Sequence, residues 1–283
     1  MNVNQANPTI GCLRIIKATT AIVLIGGLAP ATVLAQNPNA SLATKTGHEI
    51  GVTASTYKYT EPGLVTIKAN KLGLDYSGIF AIGTQWPDRN AGWFLRGDLR
   101  YANGKADYSS GISGAINNAP DWYYEVRGLV GKDFDMGGYV LAPYAGLGYR
   151  HLENDLRGVS TTGARGYRRE SNYTTLPVGV THKLKLDRNM QLDTTLEYAH
   201  LIRGKQDSKL SDALPTRSDV TNTQRSGYGL RLSTMVRFGA WSVGPSLILW
   251  RIKESDKVGT LFGTLSEPKN NTFEFGIKAA YSF

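Results

Sequence analysis

Four histidines, His48, His151, His182 and His200, are the side chains best suited to acid–base work near neutral pH. His151 is followed by Glu153 and Asp155, an acid–base grouping on paper, and His151 and His200 fall near strand ends where a rim active site would form. The spacing argues against that chemistry. None of the four has serine two residues later, as a His-x-Ser hydrolytic pair requires, and no Asp-x-Asp or Asp-x-His motif matches that of a rim protease. His151 and His200 also share their alternating rows with apolar residues. No metal-ligand spacing and no glycine-rich phosphate loop is present, so no catalytic residue, metal or cofactor is expected. A rim hydrolase ranks third among the functional readings.

The other concentrated chemistry is RGYRR, with Arg165, Arg168 and Arg169. Two readings stand. It is a solvated loop tip whose charge is offset by Glu153, Asp155 and Glu170, or an anion-binding loop that holds phosphates of a lipopolysaccharide surface or another extracellular anionic ligand. The chain carries 32 basic and 23 acidic residues. Basic side chains elsewhere are spread along alternating rows instead of gathered on one face, which excludes nucleic acid as the partner.

The elements that position these residues alternate with period two. In FEFGIKAAYSF, Phe273, Phe275, Ile277, Ala279, Tyr281 and Phe283 form one row, opposed by Glu274, Gly276, Lys278, Ala280 and Ser282. SGYGLRLSTMVRF, MQLDTTLEYAH and WFLRGDLRY repeat the pattern, and further runs start near Gly47, Val65, Trp122, Tyr139, Ser171 and Trp241. These make about ten segments, most near the roughly 9–11 residues of a tilted membrane-crossing strand. Helical spacing at three and four is absent. Connections run short and then long: 133–138, 186–189 and 238–240 against 103–120, 152–171, 204–225 and 253–270. Two connections break the rhythm, a short one at 60–64 and a long one at 83–91. Trp93, Tyr139, Phe238, Trp241 and Phe283 gather at the turn ends, and Tyr101, Trp122, Tyr124, Tyr149 and Tyr198 at the loop ends, as two interfacial girdles. The fold predicted is all-β: a closed antiparallel transmembrane β-barrel over 47–283, of about ten strands with eight or twelve left open.

Residues 1–35 read as a secretory signal peptide, with Arg14 and Lys17 ahead of the uncharged run ATTAIVLIGGLAPATVLA and a Val33-Leu34-Ala35 cleavage site. The sole cysteine, Cys12, lies in it. Its removal takes two of the 32 basic residues, leaving 30 against 23 acidic and a net charge of +7. Residues 36–46, QNPNASLATKT, read as a flexible periplasmic lead-in.

With the signal peptide and the aromatic terminal strand in place, the chain resembles bacterial outer-membrane β-barrel proteins of the small OmpA- and opacity-like class. The resemblance implies outer-membrane localisation, lipid and lipopolysaccharide as surroundings, and a terminal strand (Phe275, Ile277, Ala279, Tyr281, Phe283) read by the barrel-assembly machinery. In such a barrel the polar rows face the lumen. They place Glu49, Asp75, Asp98, Glu125, Asp193, Glu197 and Glu274 there against Lys71, Arg96, Arg100, Arg127, Arg150, Lys183, Lys185, Arg203, Arg231, Arg237 and Lys278. Mixed signs in so small a space predict a paired charge network and a plugged interior, and hence a structural or surface-interaction role. The basic excess keeps a narrow, weakly anion-selective channel as the alternative.

Overall fold

The structure is a computed structural model that describes residues 41–82, 92–260 and 263–283. The expected signal peptide 1–35, residues 36–40 of the lead-in and the connection 83–91 lie outside the described residues.

Ten long strands carry the fold: β1 Gly47–Glu61, β2 Val65–Ile82, β3 Trp93–Ser110, β4 Gly114–Lys132, β5 Tyr139–Val159, β6 Arg165–Asp187, β7 Met190–Ser208, β8 Gly227–Phe238, β9 Trp241–Ile252 and β10 Asn270–Ser282. Each is antiparallel to its neighbours in sequence. The last strand returns to the first, in register from Glu49 with Ser282 to Thr60 with Asn271. His48 and Phe283 exchange both backbone hydrogen bonds at 2.8 Å, so pairing runs to the final residue. The ring is closed, with no sheet edge open to lipid. Short pieces extend it. Val220–Gln224 pairs with β7, Phe134–Asp135 with β5, and Lys257–Thr260 with Gly263–Ser266 as a hairpin in the last outer loop.

The strands exceed what a membrane requires. A crossing takes roughly 9–11 residues, yet β5 has 21 and β6 has 23. The surplus lies on the outer side. Segments 103–120 and 152–171, expected as long polar loops, are instead mostly strand, turning tightly at 111–113 and 160–164. The strands expected to begin near Trp122 and Ser171 begin at Gly114 and Arg165. Only two described outer connections, 209–226 and 253–269, are long.

The reason is a switch in which row is apolar. Along β2, Leu72, Leu74 and Phe80 face outward, whereas Ile67 and Ala69, nearer the outer end, face inward. Leu72 is 71% exposed and Ile67 0%. The same switch separates outward Ile50 and Val52 from inward Tyr57 and Tyr59 on β1, and outward Leu147 and Tyr149 from inward Leu152 and Leu156 on β5. In lipid the apolar row must face out. Above the membrane, water surrounds the same wall, and the apolar row must face in. Trp93, Phe238, Trp241 and Phe283 are exposed at the lower end, and Tyr101, Tyr149 and Tyr198 mark the upper boundary of the apolar band.

The periplasmic turn between β8 and β9 is only two residues, Gly239 and Ala240, and Gly239 has φ of 59°. A side chain there would be strained, which explains the glycine.

Candidate functional site

The lumen is where the polar rows converge. Arg127 on β4 donates to both carboxylate oxygens of Glu197 on β7, at 2.8 and 3.0 Å, and to Asp98 on β3 at 2.7 Å. Arg231 on β8 reaches Glu125 on β4 and lies 3.2 Å from Glu197. Arg100 on β3 pairs with Asp75 at 3.2 Å and with Glu274 on β10 at 2.8 Å, and the Tyr123 hydroxyl donates to Glu274 at 2.8 Å. Arg96 pairs with Asp98 at 2.7 Å. Lower down, Arg237 joins Asp193 at 2.6 Å and Glu49 at 2.9 Å, and Lys278 joins Glu49 at 2.9 Å. Counted round the ring, Arg127 to Glu197 spans three strands and Arg231 to Glu125 four. These bridges cross the bore.

Of the eighteen charged residues expected in the lumen rows, fifteen are in an ion pair, all but Arg150, Lys185 and Arg203. Tyr144 adds a hydrogen bond to Glu197 at 2.8 Å. It lies across Gly179, where a Cβ would sit 2.5 Å from the tyrosine hydroxyl. Near the periplasmic end Phe94, Leu129, Ala142 and Tyr144 form an apolar cluster inside the bore. A polar cavity of about 140 Å³ remains among Arg96, Asp98, Arg127, Glu197, Arg231 and Lys278.

Above this level the interior changes character. Tyr57, Tyr59, Ile67, Ala69 and Ala106 form one apolar cluster, and Tyr173, Ala199, Leu201, Ile248, Trp250 and Ile252 another. Lys71 and Asp121 form a fully buried ion pair at the junction. Arg150 lies with its guanidinium 4.2 Å from the Tyr123 ring centre and 5.5 Å from that of Trp250, a cation–π arrangement.

The outer mouth is closed by the last loop. Glu267 reaches inward to Arg169, which also binds Glu61 at 2.6 Å, while the Tyr59 hydroxyl donates to Glu61 at 2.8 Å and to Glu267 at 3.0 Å. Arg169 on β6 and Glu61 on β1 stand diametrically opposed in a ring of ten. Burial, reinforced by the charge of Glu61, holds the Glu267 carboxyl above its usual pKa although Arg169 opposes the shift. Asn222 pins the loop by donating to the Asp256 and Leu265 carbonyls, both at 3.2 Å.

The periplasmic mouth is also occupied. Residues 41–46, expected as part of a flexible lead-in, are tied down: Leu42 is buried, and the Thr44 hydroxyl donates to Asp133 at 3.0 Å. Lys183 pairs with Asp133 at 2.9 Å. A pattern reading of strands passes over such a loop-end carboxylate, although the spacing Asp133-Phe134-Asp135 marks it. It is the chain's one Asp-x-Asp pair within the described residues, and it sits at the periplasmic end, away from the outer rim.

Three expectations need correction. Arg165, Arg168 and Arg169 do not form one surface. Adjacent strand residues point to opposite faces, so Arg169 is buried inward, while Arg168 faces outward and binds Asp212 at 2.8 Å. The hydrogen bonds and charge of Arg168 hold the Asp212 carboxyl below its usual pKa. Arg165 is exposed near the tip of the hairpin. Second, Arg203 leaves the lumen row: a bulge on β7 turns both Ile202 and Arg203 outward. Third, the basic excess disappears. Glu61, Asp121, Asp133 and Glu267 add four inward carboxylates to the seven expected, while Arg203 is lost and Arg169 gained among the eleven basic ones, so the signs come out even. Lys185, counted among the eleven, sits exposed at the periplasmic end of its row.

All four histidines are on outward rows. His151 Nδ1 is 2.8 Å from Asn172 Oδ1 and packs among Trp122 and Tyr124, while His200 stands beside Tyr198. His48 bonds Tyr76 at 2.8 Å, and His182 packs against Tyr139. Among the described residues, no cluster of three or more His, Cys, Asp and Glu has the arrangement to hold a metal.

The model of the Autotransporter beta-domain family matches residues 68–244. Among solved structures the chain is similar to the outer membrane protease OmpT from Escherichia coli, at 9% identity and TM-score 0.57, over 84% of this chain and 97% of that one. It is also similar to the transport unit of the autotransporter AIDA-I from Escherichia coli, at 11% identity and TM-score 0.41, over 87% and 96%. The translocator domain of the autotransporter NalP from Neisseria meningitidis aligns at 14% identity and TM-score 0.41, over 87% and 91%. No curated protein matches the sequence. The likeness to OmpT is one of fold alone.

Proposed function

This chain belongs to the autotransporter beta-domain family of bacterial outer-membrane β-barrels, and on that premise we propose that it acts at the cell surface as a sealed barrel. Its working part is the projecting outer wall with the two long outer loops. In its resting state the lumen neither conducts ions nor holds a threaded polypeptide. One observation carries this reading: ion pairs from opposing walls cross the bore at several heights, from Arg237 with Glu49 up to Arg169 with Glu61. An extended chain needs a continuous bore, and opening one here would separate buried charges at several kcal/mol for each broken pair.

The channel alternative loses its main support with the basic excess. The cavity of about 140 Å³ leaves room for a few waters, and charges of both signs line it. The hydrolase reading lacks a histidine on any inward row.

Refolded protein in a planar bilayer tests the proposal. Silence is expected from protein shown to be folded. Steady discrete openings would overturn the sealed reading, and loss of their anion preference on neutralising Arg231 and Arg237 would establish the channel. An engineered variant lacking the 253–269 loop should also stay silent, because the lower network is independent of that lid.

A further inference from the structure

The outward face of the projecting wall differs from one side to the other. Around β5 to β7 three basic residues are paired with carboxylates, Arg157 with Asp155 at 2.6 Å, Arg168 with Asp212 at 2.8 Å, and Lys209 with Glu170 at 3.7 Å, while the exposed Arg203 and Lys205 are in no ion pair among the described residues. Around β9, β10, β1, β2 and β3 no outward basic residue is so paired. Arg251, Lys58, Lys68 and Lys105 all face outward and are exposed. Among the described residues none of these four lies within 4.0 Å of a carboxylate oxygen. Asp107 stands opposite Lys68 in register, but its Oδ1 accepts the Asn118 backbone N–H at 3.1 Å.

Lys58 and Lys68 are directly opposite each other on adjacent strands. Like charges in that position repel, and the one cross-strand carboxylate, Asp107, faces Lys68 alone, so the face keeps a net positive charge. Its height suggests what offsets the excess. Lys68 is four residues above the outward Leu72, Lys105 four above Tyr101, and Lys58 is opposite Phe273. Four residues of a tilted strand climb roughly 10 Å. That puts the charged groups in the headgroup layer, just above an apolar wall ready to receive acyl chains.

We propose that this face, built by Arg251, Lys58, Lys68 and Lys105, binds the phosphate groups of a phosphorylated glycolipid in the outer leaflet. The ammonium groups supply the charge, Asn70 and Asn271 amides lie between them, and the apolar row below holds the lipid chains. The requirement for both parts commits the site to lipid-borne phosphate over free phosphate. It rests on the outer-membrane setting and not on whether the lumen conducts.

The test uses the refolded full barrel in detergent, titrated with purified lipopolysaccharide, the same lipid after enzymatic dephosphorylation, and inorganic pyrophosphate. Binding is read by tryptophan fluorescence and by the shift in thermal midpoint. The phosphorylated lipid is expected to bind at least about tenfold more tightly than either comparator. A K58Q/K68Q/K105Q variant should lose about tenfold or more in affinity, K58R/K68R/K105R should restore it, and R157Q on the paired side should change it less than about twofold. Heat-modifiable gel mobility verifies the fold of each variant. Equal affinity for the dephosphorylated lipid, or an unaffected Gln variant, would overturn the site. Pyrophosphate binding as tight as lipid would overturn the assignment to a lipid headgroup.

Discussion

Below Tyr101, β3 turns Leu95 and Leu99 outward and Arg96, Asp98 and Arg100 inward; above it, Lys105 and Asp107 face outward and Ala102, Ala106 and Tyr108 face inward. One strand thus contains two walls of opposite polarity. The lower wall is surrounded by hydrocarbon and held from within by crossing ion pairs. The upper wall is surrounded by water and filled by an apolar core, as a soluble barrel is. The difference teaches that the strand geometry is indifferent to its surroundings. Only the choice of apolar row changes, and it changes at the membrane surface.

The largest effect should come from the junction. Lys71 and Asp121 are both fully buried where the charged interior gives way to the apolar one. Lys71→Met leaves Asp121 without its partner and should cost about 3–5 kcal/mol, measured by urea unfolding of the refolded barrel. The double replacement Lys71→Met with Asp121→Leu should recover most of that loss. A single variant as stable as the native chain would show that the pair does not hold the junction.

Next come the two apolar rows. Ile67→Ala removes a fully buried side chain from the upper core and should destabilise by about 2–4 kcal/mol. Leu72→Ala, five residues along on the opposite face, should cost well under half as much, because its methyls contact lipid in both variant and native protein. Equal losses would erase the distinction between the walls.

The projecting wall was the part of the fold least visible in the residues. The ten strands, the closure of the last against the first and the inward charges follow from period-two rows such as 273–283 and 226–238. Segment 103–120 alternates just as regularly, with Ala106 and Tyr108 against Lys105 and Asp107. Its apolar residues fall on the parity opposite to Leu95, Leu99 and Tyr101, and a parity change resembles the end of a strand. Residues 152–171 look like a loop for the same reason. The lid and the periplasmic plug were out of reach for another. Glu267 and Thr44 belong to irregular segments whose destinations depend on contacts 98 and 89 residues away in the chain.

A smaller effect concerns the lid. Burial, with Glu61 beside it, raises the Glu267 pKa above the ordinary value of a glutamate, so the docked loop binds more protons than the released one. Docking should be strongest below about pH 4.5 and weaken as pH rises through the raised value. Glu267→Gln should flatten this dependence and protect the 253–269 loop from proteolysis at neutral pH. Loop cleavage that does not vary with pH in the native chain would contradict the shared Arg169 arrangement.

The two-wall account is tested most directly by single cysteines along the outward row of β2, replacing Thr66, Lys68, Asn70, Leu72, Leu74 and Tyr76 one at a time in membrane-inserted protein. Reaction with a water-soluble maleimide should be fast at the first three and fall sharply from Leu72 onward. Uniformly slow labelling of Lys68 and Asn70, or labelling of Leu74 as fast as that of Lys68, would contradict it.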